Sequence, residues 1–447
     1  MSRLLIQGAT LLGLTTPRDI RQSTDLYAEG GTITALGEEA ARRAGAPGEP
    51  VLHLDARGKW VIPGFVQAHL HLCQTLLRNG PEGLELLPWL EQHVWPGEAA
   101  HDAGTLAVSA SLGLAECLSA GVTAVLDMGT VRHSDSLFRA AARAGIRYTG
   151  GNVLMDDPAT TPENLRAGAR EGLAETERLR ADWHGREHGR LRVAVQPRFA
   201  VACTDGLLRE AAAYAASEGL PIHTHASENK SECQLVLRRS GLSNVRYLGQ
   251  TGLLTPRTCV AHAIHTGESD WSELAGRQSS VAHCPSSNLR LSSGVCPVPE
   301  LRRAGVVVAL GSDGAACNNA LDPFREMRMA ASLPGTRPIP ETLAAFEVLR
   351  MMTWDGARAL GLAGAEGLVA GAPADMTILD PEAGWSLPVD WAEEPYGAIV
   401  YSMSRENVAA TIVDGVVRYR VEDPTVNGLK PRPDEVRKAV ASLRSRM

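Results

Sequence analysis

No stretch of the chain approaches the roughly 18 uninterrupted apolar residues that a membrane span needs, so none is expected. The first residues, Met1-Ser2-Arg3-Leu4-Leu5-Ile6-Gln7-Gly8, lack signal-peptide architecture, which makes the cytoplasm the expected location. There is no Cys-x-x-Cys pair. The eight cysteines are scattered singly, which suits reduced and mostly buried thiols. No basic cluster stands out, and the net charge is -7 with a pI near 6.0, so neither nucleic acid nor an anionic membrane is an expected partner. What remains is an ordinary globular composition, 44% hydrophobic and 21% charged, in 447 residues. That length divides naturally into one barrel-sized domain and a smaller one.

Both ends read as short strands with turns. Candidates are Leu4 to Gln7, Leu26 to Ala28, Thr32 to Leu36 and Val51 to Asp55, then Met376 to Leu379, Ile399 to Tyr401 and Val408 to Tyr419. Asp414-Gly415 is a two-residue hairpin signal. The ends are expected to pair into one small composite β-sandwich, residues 1–57 with 368–447, and a charged amphipathic helix is expected from about Pro433. Residues 58–367 alternate apolar runs with helical patterns. The runs are Val61–Ala68, Val122–Met128, Ile146–Leu154, Leu191–Ala200, Pro221–Ala226, Thr258–Ala263, Ser280–Cys284 and Val306–Ser312. Thr204 should cap a helix over Asp205–Glu218, closed by Gly219. Eight βα units predict an α/β fold of the (β/α)8 TIM-barrel type, whose chemistry sits at the C-terminal strand ends.

Those ends are rich in histidine. The first carries His69-Leu70-His71, and residues two apart on a strand point the same way. The fifth carries His223-Thr224-His225-Ala226-Ser227-Glu228, the sixth His262, the seventh His283, and the last Ser312-Asp313-Gly314. One such histidine alone would be an ordinary core residue, but six of the 13 in the chain fall here. Imidazole and carboxylate together hold a borderline divalent metal and leave a position for water, whose pKa falls from about 15.7 towards 7. Asp313 suits the acceptance and release of that water's proton, and Glu228 suits protonation of a substrate if burial raises its pKa.

These motifs resemble the amidohydrolase superfamily. Pro63-Gly64-Phe65-Val66-Gln67-Ala68-His69-Leu70-His71, His225-Ala226-Ser227-Glu228, His283-Cys284-Pro285-Ser286-Ser287-Asn288 and Ser312-Asp313-Gly314-Ala315-Ala316-Cys317-Asn318-Asn319 are similar to its zinc-dependent aminohydrolase branch. That branch holds deaminases of methylthioadenosine, S-adenosylhomocysteine and 5′-deoxyadenosine, together with guanine deaminase and triazine hydrolases. The resemblance implies one divalent metal on His69, His71, His225 and Asp313, zinc ahead of Fe2+ or Mn2+. It implies Glu228 as proton shuttle to the ring and His262 beside the metal, steadying the attacking water or the intermediate. The fourth strand end, Val195-Gln196-Pro197-Arg198-Phe199, offers no lysine for a bridged pair of metals, which favours a mononuclear site.

The substrate is a small aminated heterocycle, and its expected contacts are Gln74, Trp89, Glu98, Arg198 and His283. In the adenosine-type members a glutamate at the Glu98 position holds the ribose hydroxyls; a helix-starting glutamate after Pro96 is the alternative role. Arg198 stands where the methylthioadenosine pattern has a histidine. Pro197-Arg198-Phe199 and Gln74 resemble guanine deaminase and could read a purine carbonyl edge, or simply order loops. The run Asp313-Gly314-Ala315-Ala316-Cys317-Asn318-Asn319 is similar to the adenosine-type enzymes instead. Triazine hydrolysis is a further alternative, although retention of both Glu228 and Asp313 favours loss of an amine over loss of chloride. A barrel that binds without catalysis is the contrasting class, but a degenerate relative should have lost a ligand and none is missing. A homo-oligomer is expected.

Overall fold

The apolar runs of the middle of the chain become short parallel strands. We label them β1 (Phe65–His71), β2 (Val122–Asp127), β3 (Arg147–Gly150), β4 (Leu191–Val193), β5 (Ile222–Ala226), β6 (Thr258–His262), β7 (Ser280–His283) and β8 (Val308–Leu310). Every residue of β1, β2, β5, β6 and β7 is buried, as their near-continuous hydrophobicity demands of parallel strands covered on both faces. The computed structural model describes residues 2–336, 341–362, 364, 366–388, 395–423 and 430–447.

Two larger parallel sheets result, with a two-stranded one where Gln196–Pro197 pairs with Val153–Leu154. One runs β4-β3-β2-β1 and ends on the short strand Asp313–Gly314, where Asp313 lies opposite Leu70. The other runs β5-β6-β7-β8. Single bridges from Val195 to Ile222 and from Phe199 to His225 link the residues after β4 to β5. On the far side only Gly311 and Ser312 separate β8 from Asp313–Gly314, so the last run pairs with β7 through one half and with β1 through the other. Helices such as Ala103–Ser119, Asp135–Ala144, Asp205–Glu218 and Lys230–Ser240 alternate with the strands. Asp205–Glu218 begins and ends where expected: Leu207 N donates to Thr204 Oγ1 at 3.2 Å, and Gly219 closes the helix at φ 66.

Strands from both ends of the chain form one eight-stranded sheet, joined where Trp60–Pro63 pairs antiparallel with Met376–Leu379. The expected partnership of the two ends is there, and its hydrogen bonds make a single sheet where a sandwich was expected. Leu4, Ile6, Leu26, Val61, Met376 and Ile412 fill the core beneath it. Asp414 and Gly415 turn the last hairpin at φ 55 and 69, the conformation that a two-residue turn requires.

Some expected strands change. Val61–Ala68 is not one strand, because Trp60–Pro63 belongs to the outer sheet and β1 begins at Phe65. The crossing is made at Gly64, where a Cβ would stand 2.2 Å from the Thr123 side chain. Ile399–Tyr401 is part of a helical turn over Ala398–Ser402 that buries Ile399 and Val400 and exposes Tyr401; three apolar residues satisfy one face of a turn as well as a strand. All eight cysteines are free, and only Cys233 is not fully buried. Among the described residues no helix is long and apolar enough to cross a membrane.

Candidate active site

The C-terminal ends of β1 and β5 and the start of Asp313–Gly314 bring four acceptors together. Asp313 Oδ1 lies 3.3 Å from both His69 Nε2 and His71 Nε2, and His71 Nε2 lies 3.2 Å from His225 Nε2. The other ring nitrogens explain the orientation. His71 Nδ1 donates to Met128 O at 2.8 Å and His225 Nδ1 to Arg198 O at 2.7 Å, so each Nε2 is left with a bare lone pair. His69 Nδ1 meets His223 Nε2 at 2.9 Å, and His69 Nε2 has no hydrogen-bond partner. Burial keeps these rings neutral: His71 is pushed down to about 3, and His69 and His225 also fall below the usual imidazole range. Burial alone would raise the Asp313 carboxyl, but the imidazoles around it outweigh that and hold it well below the usual range. Gly314 N donates to its Oδ1 at 2.7 Å and Ser287 Oγ to its Oδ2 at 2.5 Å.

Lone pairs facing one another at this range repel unless a cation lies among them. Donor atoms about 2.0–2.1 Å from a four-coordinate zinc stand about 3.3–3.4 Å apart, close to the separations found here. His69, His71 and Asp313 form one group that could hold a divalent ion, and His225 joins His69 and His262 in a second, overlapping group.

Beside this cluster, Glu228 Oε2 lies 3.4 Å from His262 Nε2, while Glu228 Oε1 has no hydrogen-bond partner. Burial, reinforced by the nearby Asp313 and Glu232 carboxylates, pushes Glu228 well above the usual carboxylate range. His262 Nδ1 meets Asn288 Oδ1 at 2.9 Å. Ser227, His262 and Asp313 all sit at positive φ (56, 75 and 62), where side-chain-bearing residues are strained.

A narrow pocket of about 20 Å³ opens onto these groups. His71, Glu228, His262 and Asp313 form its base; Leu86, Trp89, Leu90 and Phe199 give it apolar walls; Gln74 and Arg198 add polar ones. Two expected substrate contacts, Glu98 and His283, are not among the lining residues. Glu98, on the short helix Trp95–Ala99, is fully engaged by Arg198, whose Nη1 and Nη2 donate to its two oxygens at 2.5 and 3.1 Å, and by Gln74 Nε2 at 3.0 Å. A bidentate guanidinium pair in a dry environment outcompetes a distant hydroxyl for that carboxylate. His283 is buried, with its Nδ1 unpartnered and its ring pushed down to about 3 by that burial.

Sequence reasoning gave no role to four residues that the structure brings in. His223 shares the period-two spacing of His225 and props His69. Ser287 and Asn288 come from the motif after His283 and touch Asp313 and His262. Glu232, one helical turn past Glu228, accepts from the backbone N–H groups of Glu228 and Asn229 at 2.8 and 3.2 Å.

The amidohydrolase family model matches residues 60–418. The chain belongs to the amidohydrolase family. Among this family member's relatives is a 5′-deoxyadenosine deaminase of Methanothermobacter thermautotrophicus, 38% identical over 377 residues, which are 84% of this chain and 85% of that one. A 5-methylthioadenosine/S-adenosylhomocysteine deaminase of Nitratidesulfovibrio vulgaris is 36% identical over 419 residues, 93% of this chain and 92% of the relative. In three dimensions the amidohydrolase is similar to an adenosine deaminase from Xanthomonas campestris with bound zinc, at a TM-score of 0.88 and 28% identity over 99% of both chains. It is a hydrolase acting on C–N bonds.

Proposed function

We propose that this amidohydrolase is a metal-dependent deaminase of adenosine-type nucleosides such as 5′-deoxyadenosine, methylthioadenosine or S-adenosylhomocysteine. It would replace the exocyclic amine of the purine by a carbonyl and release ammonia. The names of its relatives support the substrate class. The observation that carries the reading is the crowding of His69, His71, His225 and Asp313 beside a buried carboxyl, Glu228, that burial pushes above the usual range.

In this reading His69, His71, His225 and Asp313 hold one divalent ion, zinc ahead of Fe2+ or Mn2+. Such an ion, when bound, supplies a water whose pKa is low enough to give hydroxide at neutral pH. Glu228 donates its proton to the ring nitrogen beside the amine-bearing carbon, which makes that carbon the electrophile. Asp313 takes one proton from the attacking water and hands it to the departing amine, and the water's second proton returns to Glu228 as the carbonyl forms, so that water and the aminated ring become the oxo ring and ammonia. His262 steadies the water from the side. Trp89 and Phe199 flank the ring. The frame of the proposal is a closed (β/α)8 barrel over residues 58–367, with residues 1–57 and 368–447 forming the outer β domain, in a cytoplasmic homo-oligomer.

One observation favours guanine as a second reading. Arg198 and Gln74 face the cavity, whereas Glu98 is occupied behind them, which suits an acceptor on the substrate better than a diol. The deciding assay measures ammonia released by the zinc-loaded protein from adenosine, 5′-deoxyadenosine, methylthioadenosine, S-adenosylhomocysteine and guanine. Turnover of the 5′-modified adenosines ahead of guanine is expected. Preference for guanine would install the second reading, and silence on all five would end both.

A further inference from the structure

We propose that Asn288 is a positioning residue that fixes which nitrogen of His262 faces the reacting centre. The inference rests on the deaminase reading for what that centre does, and on geometry alone for the rest.

The helix Pro285–Arg290 follows β7 and delivers two consecutive side chains to two different groups of the site. Ser287 reaches Asp313, and the next residue, Asn288, places its Oδ1 2.9 Å from His262 Nδ1. An amide oxygen only accepts, so His262 must carry its hydrogen on Nδ1. Its Nε2 is then the nitrogen turned towards Glu228 Oε2, 3.4 Å away, and towards Asp313 Oδ2, 4.0 Å away. The reverse tautomer would put the Nδ1 lone pair against an amide oxygen.

Two further observations point to function over packing. Asn288 is buried and its Nδ2 has no partner. A leucine would fill similar space without that unsatisfied group, and a buried orphan at a site calls for an explanation. The helix is also tied to the segment that carries Asp313. Glu326 accepts from Ser286 N at 3.2 Å and from Asn318 Nδ2 at 2.8 Å, and Asn318 Nδ2 in turn donates to Ser312 O at 2.7 Å. Asn288 therefore sits in a frame that keeps register with Asp313.

The experiment compares zinc-loaded parent, Asn288→Leu and Asn288→Asp. Asn288→Leu should lower kcat by roughly 10- to 100-fold, in the range typical of residues that orient a site through another group, with KM and zinc per chain unchanged. Asn288→Asp keeps the accepting oxygen and should recover most of the loss. Nitrogen-15 spectra of histidine-labelled protein, with the His262 signal identified by its absence in His262→Gln, should show the Nδ1–H form in parent and Asn288→Asp and its loss in Asn288→Leu. An Nε2–H form in the parent, or parental kcat and tautomer in Asn288→Leu, would overturn the proposal. So would a loss of kcat that tracks a loss of zinc. If the parent releases no ammonia from any aminopurine, the functional reading fails while the tautomer spectra still decide the role of Asn288.

Discussion

The two ends of the parallel strands both gather charge, fully buried at one end and half-buried at the other, and they do so in opposite ways. At the C-terminal end, acceptors crowd together: Asp313 Oδ1 lies 3.3 Å from His69 Nε2 and from His71 Nε2, and His71 Nε2 lies 3.2 Å from His225 Nε2. At the N-terminal end, Arg147 at the start of β3 is held between Asp375 and Asp414 of the outer sheet, every charge facing its opposite. The hollow beside that ion cluster is the larger, about 210 Å³ against 20 Å³. Volume alone would have put the chemistry at the wrong end. A cluster complete within the protein is a fastener, and one whose charges need something more is a site.

Substitutions that break the contrast should separate cleanly. The largest effect is expected for His225→Asn, which removes one of the converging acceptors: metal per chain should fall well below one, and ammonia release should disappear with it. Metal analysis of the purified variant reads this directly, and retention of a full equivalent would exclude His225 as a ligand. Glu228→Gln keeps the shape and loses the proton. It should retain metal and melting temperature while kcat falls by about 10³-fold, within the range that a positioned proton donor contributes. An unchanged kcat would remove Glu228 from the chemistry. At the opposite end, Arg147→Met takes the cation from Asp375, while Asp414 keeps Arg190 at 3.8 Å. Leaving a half-buried charged partner unsatisfied destabilises by about 1–3 kcal/mol, so denaturant midpoints should drop while kcat at low temperature stays within about twofold. A large fall in kcat would show that the two ends are not independent.

The smallest effect belongs to Asp127, at the end of β2 between the two regions. Burial pushes its carboxyl up to about 7, although Leu72 N and Tyr148 Oη both donate to it at 2.8 Å. The unfolded chain loses this proton near pH 4 and the folded chain near 7, so stability should decline as pH rises through that window. Asp127→Asn lacks the titration. Its melting temperature should gain on the parent between pH 5 and pH 8, and parallel profiles would show that Asp127 is ionised when folded.

Much of the site was legible because strand periodicity is short-range. His69 and His71 share a face by spacing alone, as do His223 and His225. Recurring turn chemistry marked Asp205–Glu218 and the Asp414–Gly415 hairpin. Illegible features depended on partners far along the chain. Glu98 and Arg198 are 100 residues apart, so no local pattern revealed that one carboxylate was already taken. The run Trp60–His71 reads as a single apolar strand, and only the approach of Thr123 to Gly64 shows why it must divide. Asn288 and Ser287 were visible as a motif, but their targets became evident only when Pro285–Arg290 was seen against β6 and Asp313.

The antiparallel pairing of Trp60–Pro63 with Met376–Leu379 bears on how the protein is made. During synthesis the first strand leaves the ribosome more than 300 residues ahead of its partner. Until the second arrives, the nascent chain presents an unpaired, apolar strand edge of the kind that recruits other chains. Variants that slow translation or truncate the region beyond Met376 should therefore aggregate before they lose any catalytic group, because the missing piece is the cover of the sheet.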